Sequence, residues 1–267
     1  MNAIILSAGQ GRRLLPHTES LPKCLLPVDE NRPVLEVQLR ALAECGITEA
    51  RVMVGFQAEK VEAFLKTRPV SGINVETLYN PFFDSSDNLA TAWLGRSEMM
   101  SDFLLMNGDT LFESAVLQRL LTAPTAPITL VVNHKSEYDD DDMKTEISAS
   151  GRLRAVSKSL SGPKVNGESI GLMRFVGKGR KAFRSALDDA VRTQSGRKSF
   201  YLSVIDRLAK ELEVETASMK GLWWGELDTP GDLAIVRSGL DELRAKSSEG
   251  TAADRSRARN HLHPATE

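Results

Sequence analysis

The sequence predicts an α/β fold: a mixed, mostly parallel sheet with helices on both faces. Three observations carry that prediction. Short apolar runs at Ala3–Leu6, Arg51–Val54, Phe103–Met106 and Ile128–Asn133 have the length of buried strands. Between them lie segments whose apolar residues recur three and four positions apart, the spacing of a helix face. And 267 residues, 41% of them hydrophobic, suffice for one large domain with a full core.

The elements follow in order. Ala3–Leu6 delivers the chain into a loop of small residues, Ser7–Gly11. Pro33 opens a helix in which Leu35, Leu39 and Leu42 share a face, and Gly46 ends it. After the strand Arg51–Val54 comes a second helix, Gln57–Thr67, with Val61, Phe64 and Leu65 on one side. Ile73–Leu78 alternates as a strand, and Asp87–Met99 is a third helix with Asp87 at its N-cap. Phe103–Met106 ends in Asn107-Gly108-Asp109, and Ile128–Asn133 follows. In the second half, Glu146–Ile147, a turn at Ser150-Gly151 and Leu153–Val156 predict a small β-hairpin insertion. Ser169–Phe175 is a further strand, followed by helices at Gly179–Thr193 and Phe200–Glu211. Strands at Val214–Ala217 and Leu222–Leu227 precede a closing helix, Pro230–Arg244. No internal repeat is present, and too little chain follows Asp228 for an appended β-helix.

From Ala245 to Glu267 the composition turns to Ser, Arg, Ala and Asp. One domain is therefore predicted over residues 1–244 and disorder over 245–267. His261 and His263 fall in that tail and read as solvated side chains. A net charge of −2 argues against a nucleic-acid partner. No apolar run reaches the roughly 18 residues that insertion into a membrane requires. Met1 leads straight into a strand, which predicts no secretory leader. Cys24 and Cys45 lack metal or redox spacing and read as reduced and buried. These features predict a cytoplasmic protein, monomer or homodimer.

Ligands of open α/β sheets collect beyond the carboxyl ends of the strands. The first segment there is Ser7–Gly11, followed by Arg12, Arg13 and Lys23. Small residues let backbone N–H groups approach phosphate and base closely, and the cations neutralise phosphate. Gly9-x-Gly11 alone fits a tight turn equally well. Arg12, Arg13 and Leu14 stand where a dinucleotide fingerprint needs its third glycine, which disfavours an NAD-dependent dehydrogenase. No Gly-Lys-Ser/Thr follows, so the loop is not a P-loop.

The full string Gly9-Gln10-Gly11-Arg12-Arg13-Leu14-Leu15-Pro16-His17-Thr18, followed by Pro22-Lys23, resembles the signature of the nucleotidyltransferase family. Its members transfer a nucleotidyl group from an NTP to a phosphorylated acceptor and release pyrophosphate. Where the family reads Leu-Ala-Ala-Gly, this chain has Leu6-Ser7-Ala8-Gly9. The resemblance covers residues 1 to about 240 and implies a Rossmann-like fold of the nucleotide-diphospho-sugar transferase type.

It also implies roles. Leu6, Ala8, Gly9, Gly11 and Gly108 would meet the nucleotide through backbone, Arg13 its triphosphate, and Lys23 would be the catalytic lysine beside Arg13. Arg12 is either a further phosphate ligand or a solvated charge. Asp109, after an apolar strand and Gly108, and Asp228, in Glu226-Leu227-Asp228-Thr229-Pro230-Gly231-Asp232-Leu233, match the family's two Mg²⁺ carboxylates. Thr229, Pro230 and Asp232 are explained by helix capping; Asp228 is not. Asn88 and Asp87 are candidates for reading the base, Asp87 equally for capping a helix, and Gln57 for touching nucleotide.

On the acceptor side, Lys158 is the candidate for the acceptor phosphate and Lys144 a second one, or a surface lysine. Glu168 would orient the acceptor or pair with Lys158. Asp139–Asp142 reads as a solvated acidic loop that could also attract a cationic acceptor.

The resemblance is strongest to the phosphocholine cytidylyltransferase-like branch, through Asp87-Asn88-Leu89 with Trp93, Asp142-Met143-Lys144, Gly167-Glu168-Ser169-Ile170-Gly171 and Tyr201-Leu202-Ser203-Val204-Ile205. It implies CTP as nucleotide. Trp93 and Tyr201, with Trp223 and Trp224, are the aromatic candidates for an acceptor wall. The alternatives are a sugar-1-phosphate uridylyl- or guanylyltransferase and a non-catalytic nucleotide-sugar-binding protein. No Ser-His-Asp or Cys-His arrangement appears, so the implied chemistry is direct in-line displacement by an acceptor oxygen.

Overall fold

The computed structural model describes residues 1–260; His261 and His263 lie outside the described residues. Its strands are β1 (Asn2–Ser7), β2 (Pro27–Asp29), β3 (Arg32–Pro33), β4 (Glu49–Val54), β5 (Asn74–Tyr79), β6 (Phe103–Asn107), β7 (Thr110–Phe112), β8 (Ile128–Asn133), β9 (Lys144–Ile147), β10 (Leu153–Val156), β11 (Gly167–Phe175), β12 (Val214–Ser218) and β13 (Trp224–Glu226). The helices are α1 (Val34–Glu44), α2 (Ala58–Thr67), α3 (Asn88–Leu94), α4 (Ser114–Thr122), α5 (Lys178–Val191), α6 (Gln194–Arg197), α7 (Leu202–Glu211) and α8 (Pro230–Asn260).

The main sheet runs β12-β8-β11-β6-β1-β4-β5. β1 is parallel to β4 and β6, β4 to β5, and β8 to β12; β11 is antiparallel to both its neighbours, β6 and β8. The sheet is thus mostly parallel with one reversed strand. β11 pairs with β6 through Leu172–Phe175 and with β9 through Gly167 and Glu168, so one strand carries the hairpin β9–β10 as well as the central sheet. Its register breaks between Ser169 and Met173, around Gly171, whose φ is +73°. A side chain on Gly171 would fall 2.3 Å from the Asn107 amide, so only glycine fits there.

Alternation along each central strand feeds two cores. Ala3, Ile5, Leu104 and Met106 face α1, α2 and α4, while Ile4, Phe103 and Leu105 face α3, α5 and α7. On the second face Phe175 stacks on Phe103 at 4.6 Å and packs on Phe183 at 4.5 Å between ring centroids. A smaller third core joins Leu14, Val28, Val34, Leu111, Leu227 and Val236 beneath the start of α8. Among the described residues no helix is long and apolar enough to cross a membrane.

Three differences from the sequence reading have physical causes. The predicted helix Asp87–Met99 is α3 followed by a 3₁₀ segment, Gly95–Met100, with Gly95 packed against Met53. Asp87 stands at the N-cap of α3, but its side chain makes no capping bond. The closing helix does not stop at Arg244 but runs to Asn260, through a stretch whose four alanines and three arginines favour helix against its Ser, Gly and Thr.

Candidate active site

Glycine brings the strand ends together. A Cβ on Gly108 would lie 2.1 Å from Ser7 Oγ and 2.6 Å from the Leu6 carbonyl, so the turn after β6 closes onto β1 only without a side chain. Gly108→Ala is therefore expected to destabilise the fold by about 1–3 kcal/mol, read as a lower urea midpoint with an unchanged slope. Gly11, at φ +72°, leaves room for the stem of Lys23, whose Cδ would be 3.0 Å from a Cβ there. Thr18 Oγ1 donates to the Gly11 carbonyl at 2.8 Å and holds the loop.

The two aspartates are placed by different devices. Buried Gln38 donates from Nε2 to the carbonyls of Asn107 (2.9 Å) and Thr110 (2.8 Å), fixing the turn that carries Asp109. β13 pairs antiparallel with β7, and Leu227 N–H donates to the Asp109 carbonyl at 3.1 Å. Asp232 Oδ2 then accepts from the backbone N–H of Asp228 and of Thr229, at 2.9 and 2.6 Å. The helix start thus positions Asp228 through Asp232.

Lys23 Nζ lies between the two carboxylates, 2.7 Å from Asp109 Oδ2 and 2.8 Å from Asp228 Oδ1. Arg13 Nη2 meets Asp228 Oδ2 at 2.9 Å. Burial works against the charge on Lys23, but Asp109 and Asp228 outweigh it and hold the ammonium's pKa above its ordinary value. Burial likewise pushes Asp228 up, and Lys23 and Arg13 bring it below the usual carboxylate range. Glu226 is pushed up to about 8, by desolvation first and then by the negative charge of Asp109 and Asp228. Cys24, buried beside Lys23, is a neutral thiol whose pKa burial raises to about 12.

Leu6, Gly9, Gly11, Lys23, Asn88, Gly108 and Asp109 line one hollow, together with Ser7 and Asn107. Arg13, Lys158, Glu168 and Asp228 line an adjoining one with Asp141, Asp142, Phe200, Trp224 and Glu226. Asn88, Asn107 and Asp109 belong to both.

Several expected residues stand elsewhere. Ala8 is buried behind the loop, its carbonyl accepting from Phe56 N–H at 2.9 Å. Arg12 is exposed and reaches Gln10 at 3.4 Å, the solvated alternative. Gln57 starts α2 at φ 52° and Asp87 starts α3; neither lines the two hollows. Trp93 does not form an acceptor wall, because its indole donates to Asp188 at 2.7 Å with the Arg96 guanidinium 3.9 Å over the ring.

Tyr201 is fully buried and cannot meet an acceptor; it supports the floor instead. Its hydroxyl donates to Asn107 Oδ1 at 3.1 Å and its N–H to Asn88 Oδ1 at 2.9 Å. Burial raises its phenol far above the ordinary value. Lys144 is neither at the surface nor in the cleft: it is buried, and Nζ donates to the Lys158 carbonyl at 2.7 Å. Glu168 pairs not with Lys158 but with Lys135 at 3.1 Å, and accepts from Asn133 at 2.8 Å. Lys135 also meets Asp142 at 2.7 Å. Burial raises Glu168, whereas the Lys135 bond overcomes burial at Asp142 and lowers it.

What the carboxyl edge of the sheet gathers is charge of both signs around an open hollow. The chain belongs to the nucleotidyl transferase family, whose model matches residues 2–137. It is 30% identical over 240 residues to the CMP-5'-(3-aminopropyl)phosphonate synthase of Streptomyces rubellomurinus, covering 87% of this chain and 37% of that one. It is 27% identical over 246 residues to the bifunctional IPC transferase and DIPP synthase of Aquifex aeolicus, covering 91% of this chain and 53% of that one. The match therefore spans only part of each relative's length. The solved CTP:phosphocholine cytidylyltransferase from Streptococcus pneumoniae has the same fold, with a TM-score of 0.73 at 19% identity over 89% of this chain and 97% of that one.

Proposed function

We propose that this protein is a magnesium-dependent cytidylyltransferase, joining CMP from CTP to a small phosphorylated alcohol, a choline-like acceptor or a phosphonate, with release of pyrophosphate. The observation that carries this reading is the position of Lys23 between Asp109 and Asp228, where the two hollows meet.

The donor set suits a hard cation. Asp109 Oδ1 is buried without a hydrogen-bond partner, and Mg²⁺ is commonly held by one or two carboxylates plus substrate phosphates. Among the described residues no three His, Cys, Asp or Glu converge on a metal, so substrate oxygens would complete the shell. Asp109 and Asp228 would hold Mg²⁺, which would neutralise charge developing on the α-phosphate and the leaving pyrophosphate.

Lys23 and Arg13 bring positive charge to the phosphates of CTP, and Lys158 to that of the acceptor. An acceptor oxygen attacks the α-phosphorus in line; it is already anionic and needs no general base. The relatives whose names include CMP or CTP support cytidine as the base. The acceptor hollow, about 140 Å³ in volume, suits only a small acceptor. Phe200 and Trp224 suit one that carries an ammonium group.

The test is pyrophosphate release with Mg²⁺, crossing CTP, UTP, dTTP, GTP and ATP against phosphocholine, aminoethylphosphonate, glycerol phosphate and hexose 1-phosphates. Release with CTP and a non-sugar acceptor is expected. Release only with a hexose 1-phosphate would move the protein to the sugar branch.

A further inference from the structure

We propose that Asp141 is a built-in substitute for substrate phosphate, which ligands must displace and which thereby selects for those of high negative charge. The inference rests on the reading of Arg13 and Lys158 as phosphate ligands. Asp141 lies in the loop between β8 and β9, far along the chain from Arg13. Its Oδ2 meets Arg13 Nη1 at 3.1 Å, and its Oδ1 meets Lys158 Nζ at 3.3 Å. One carboxylate therefore joins, across the cleft, the cation expected to take the nucleotide and the cation expected to take the acceptor.

The fold has little need of this contact. Asp141 is 77% exposed, Arg13 51% and Lys158 34%, and ion pairs so open to water contribute little stability. Each cation is also placed by a second hold. Arg13 keeps Nη2 on Asp228 at 2.9 Å. Lys158 keeps Nζ 5.3 Å from the centre of the Phe200 ring, while Lys144 binds its carbonyl. When Asp141 swings away, both cations stay aimed into the cleft. The neighbouring Asp142 is tied to Lys135 at 2.7 Å, so the loop remains anchored while the Asp141 side chain leaves.

The Asp141 carboxylate gives one oxygen to each cation, as the oxygens of a phosphate can, but with a single charge. A phosphate dianion or pyrophosphate outcompetes it; a singly charged anion gains little by doing so. Asp141 thus sets a threshold of charge on what the cleft accepts.

Binding of inorganic pyrophosphate, measured by calorimetry at fixed ionic strength, tests this in the wild-type chain and in Asp141→Asn, Asp141→Glu, Arg13→Ala and Lys158→Ala. Asp141→Asn is expected to bind about three- to tenfold more tightly, from the release of two exposed ion pairs. Asp141→Glu, which keeps the charge, is expected to lie near wild type. Loss of a merely structural contact would not tighten binding. Unchanged or weaker binding in Asp141→Asn, with Arg13→Ala and Lys158→Ala both weakened, would overturn the role of Asp141 alone. Wild-type binding in both Arg13→Ala and Lys158→Ala would overturn the phosphate-ligand reading, and the proposal with it.

Discussion

Lys23→Ala is expected to lower kcat for the proposed pyrophosphate release by about 100- to 1,000-fold, the loss typical of removing one preorganised charge-stabilising group. The lysine is nearly enclosed, with 14% of its side chain exposed, and its ammonium sits where the two hollows share Asp109. Little water can replace it at the α-phosphate of the proposed substrate. The substitution also leaves Asp109 and Asp228 facing one another without the cation between them. A thermal melt must accompany the kinetics: one cooperative transition shows that the fold persists and assigns the loss to chemistry. Lys23→Arg retains charge but not the compact ammonium, and an intermediate rate is expected. A kcat close to wild type in the alanine variant would end the catalytic assignment.

Asp109→Asn and Asp228→Asn are expected to raise the Mg²⁺ concentration for half-maximal rate by about tenfold or more, and together to abolish most turnover. Asparagine keeps the shape of each side chain and one carbonyl oxygen but removes the negative charge that a hard cation requires. The two are not equivalent. Asp109 has an unpartnered buried oxygen, whereas both oxygens of Asp228 are engaged by Lys23 and Arg13. Asp109→Asn is therefore the more damaging for the metal. Initial rates across a magnesium titration at fixed CTP decide this; curves unchanged from wild type in both variants would place the metal elsewhere.

The parts legible in the sequence were those written in one stretch of chain. The apolar runs of β1 and β6, the spaced leucines of α1 and the glycine-rich loop each carry their own signal, as do Gly108 and the capping residues around Asp228. What escaped depends on contacts between distant segments. β2, β3, β7 and α6 have four residues or fewer, too short for any period to show; α4, by contrast, carries helical spacing at Val116, Leu117 and Leu120 that the sequence reading leaves out.

Gln38 looks like an ordinary polar helix residue until the turn at Asn107–Thr110 is folded against it. Asn133 and Lys135 have no local pattern, and gain a purpose only when β11 brings Glu168 beside them. Trp93 and Tyr201 were legible as large aromatics, but composition cannot tell a cleft wall from a core. The structure gives cleft positions to Trp224, one of the four aromatic candidates, and to Phe200, which was not among them.

The reversed strand β11 has a mechanical consequence. Its Leu172–Phe175 half is laced to β6, which leads to Asp109, and its Gly167–Glu168 half to the hairpin beyond the acceptor hollow. β8 runs beside both halves like a splint. Floor and back wall are therefore a single stiff spine that cannot gape without tearing backbone hydrogen bonds. The front of the cleft is held by side chains instead, where Asp141 of the 134–143 loop meets Arg13 of the turn after the first strand and Lys158 of the 157–166 loop. Cargo would come and go there through side chains that swing, while the frame behind them stays still.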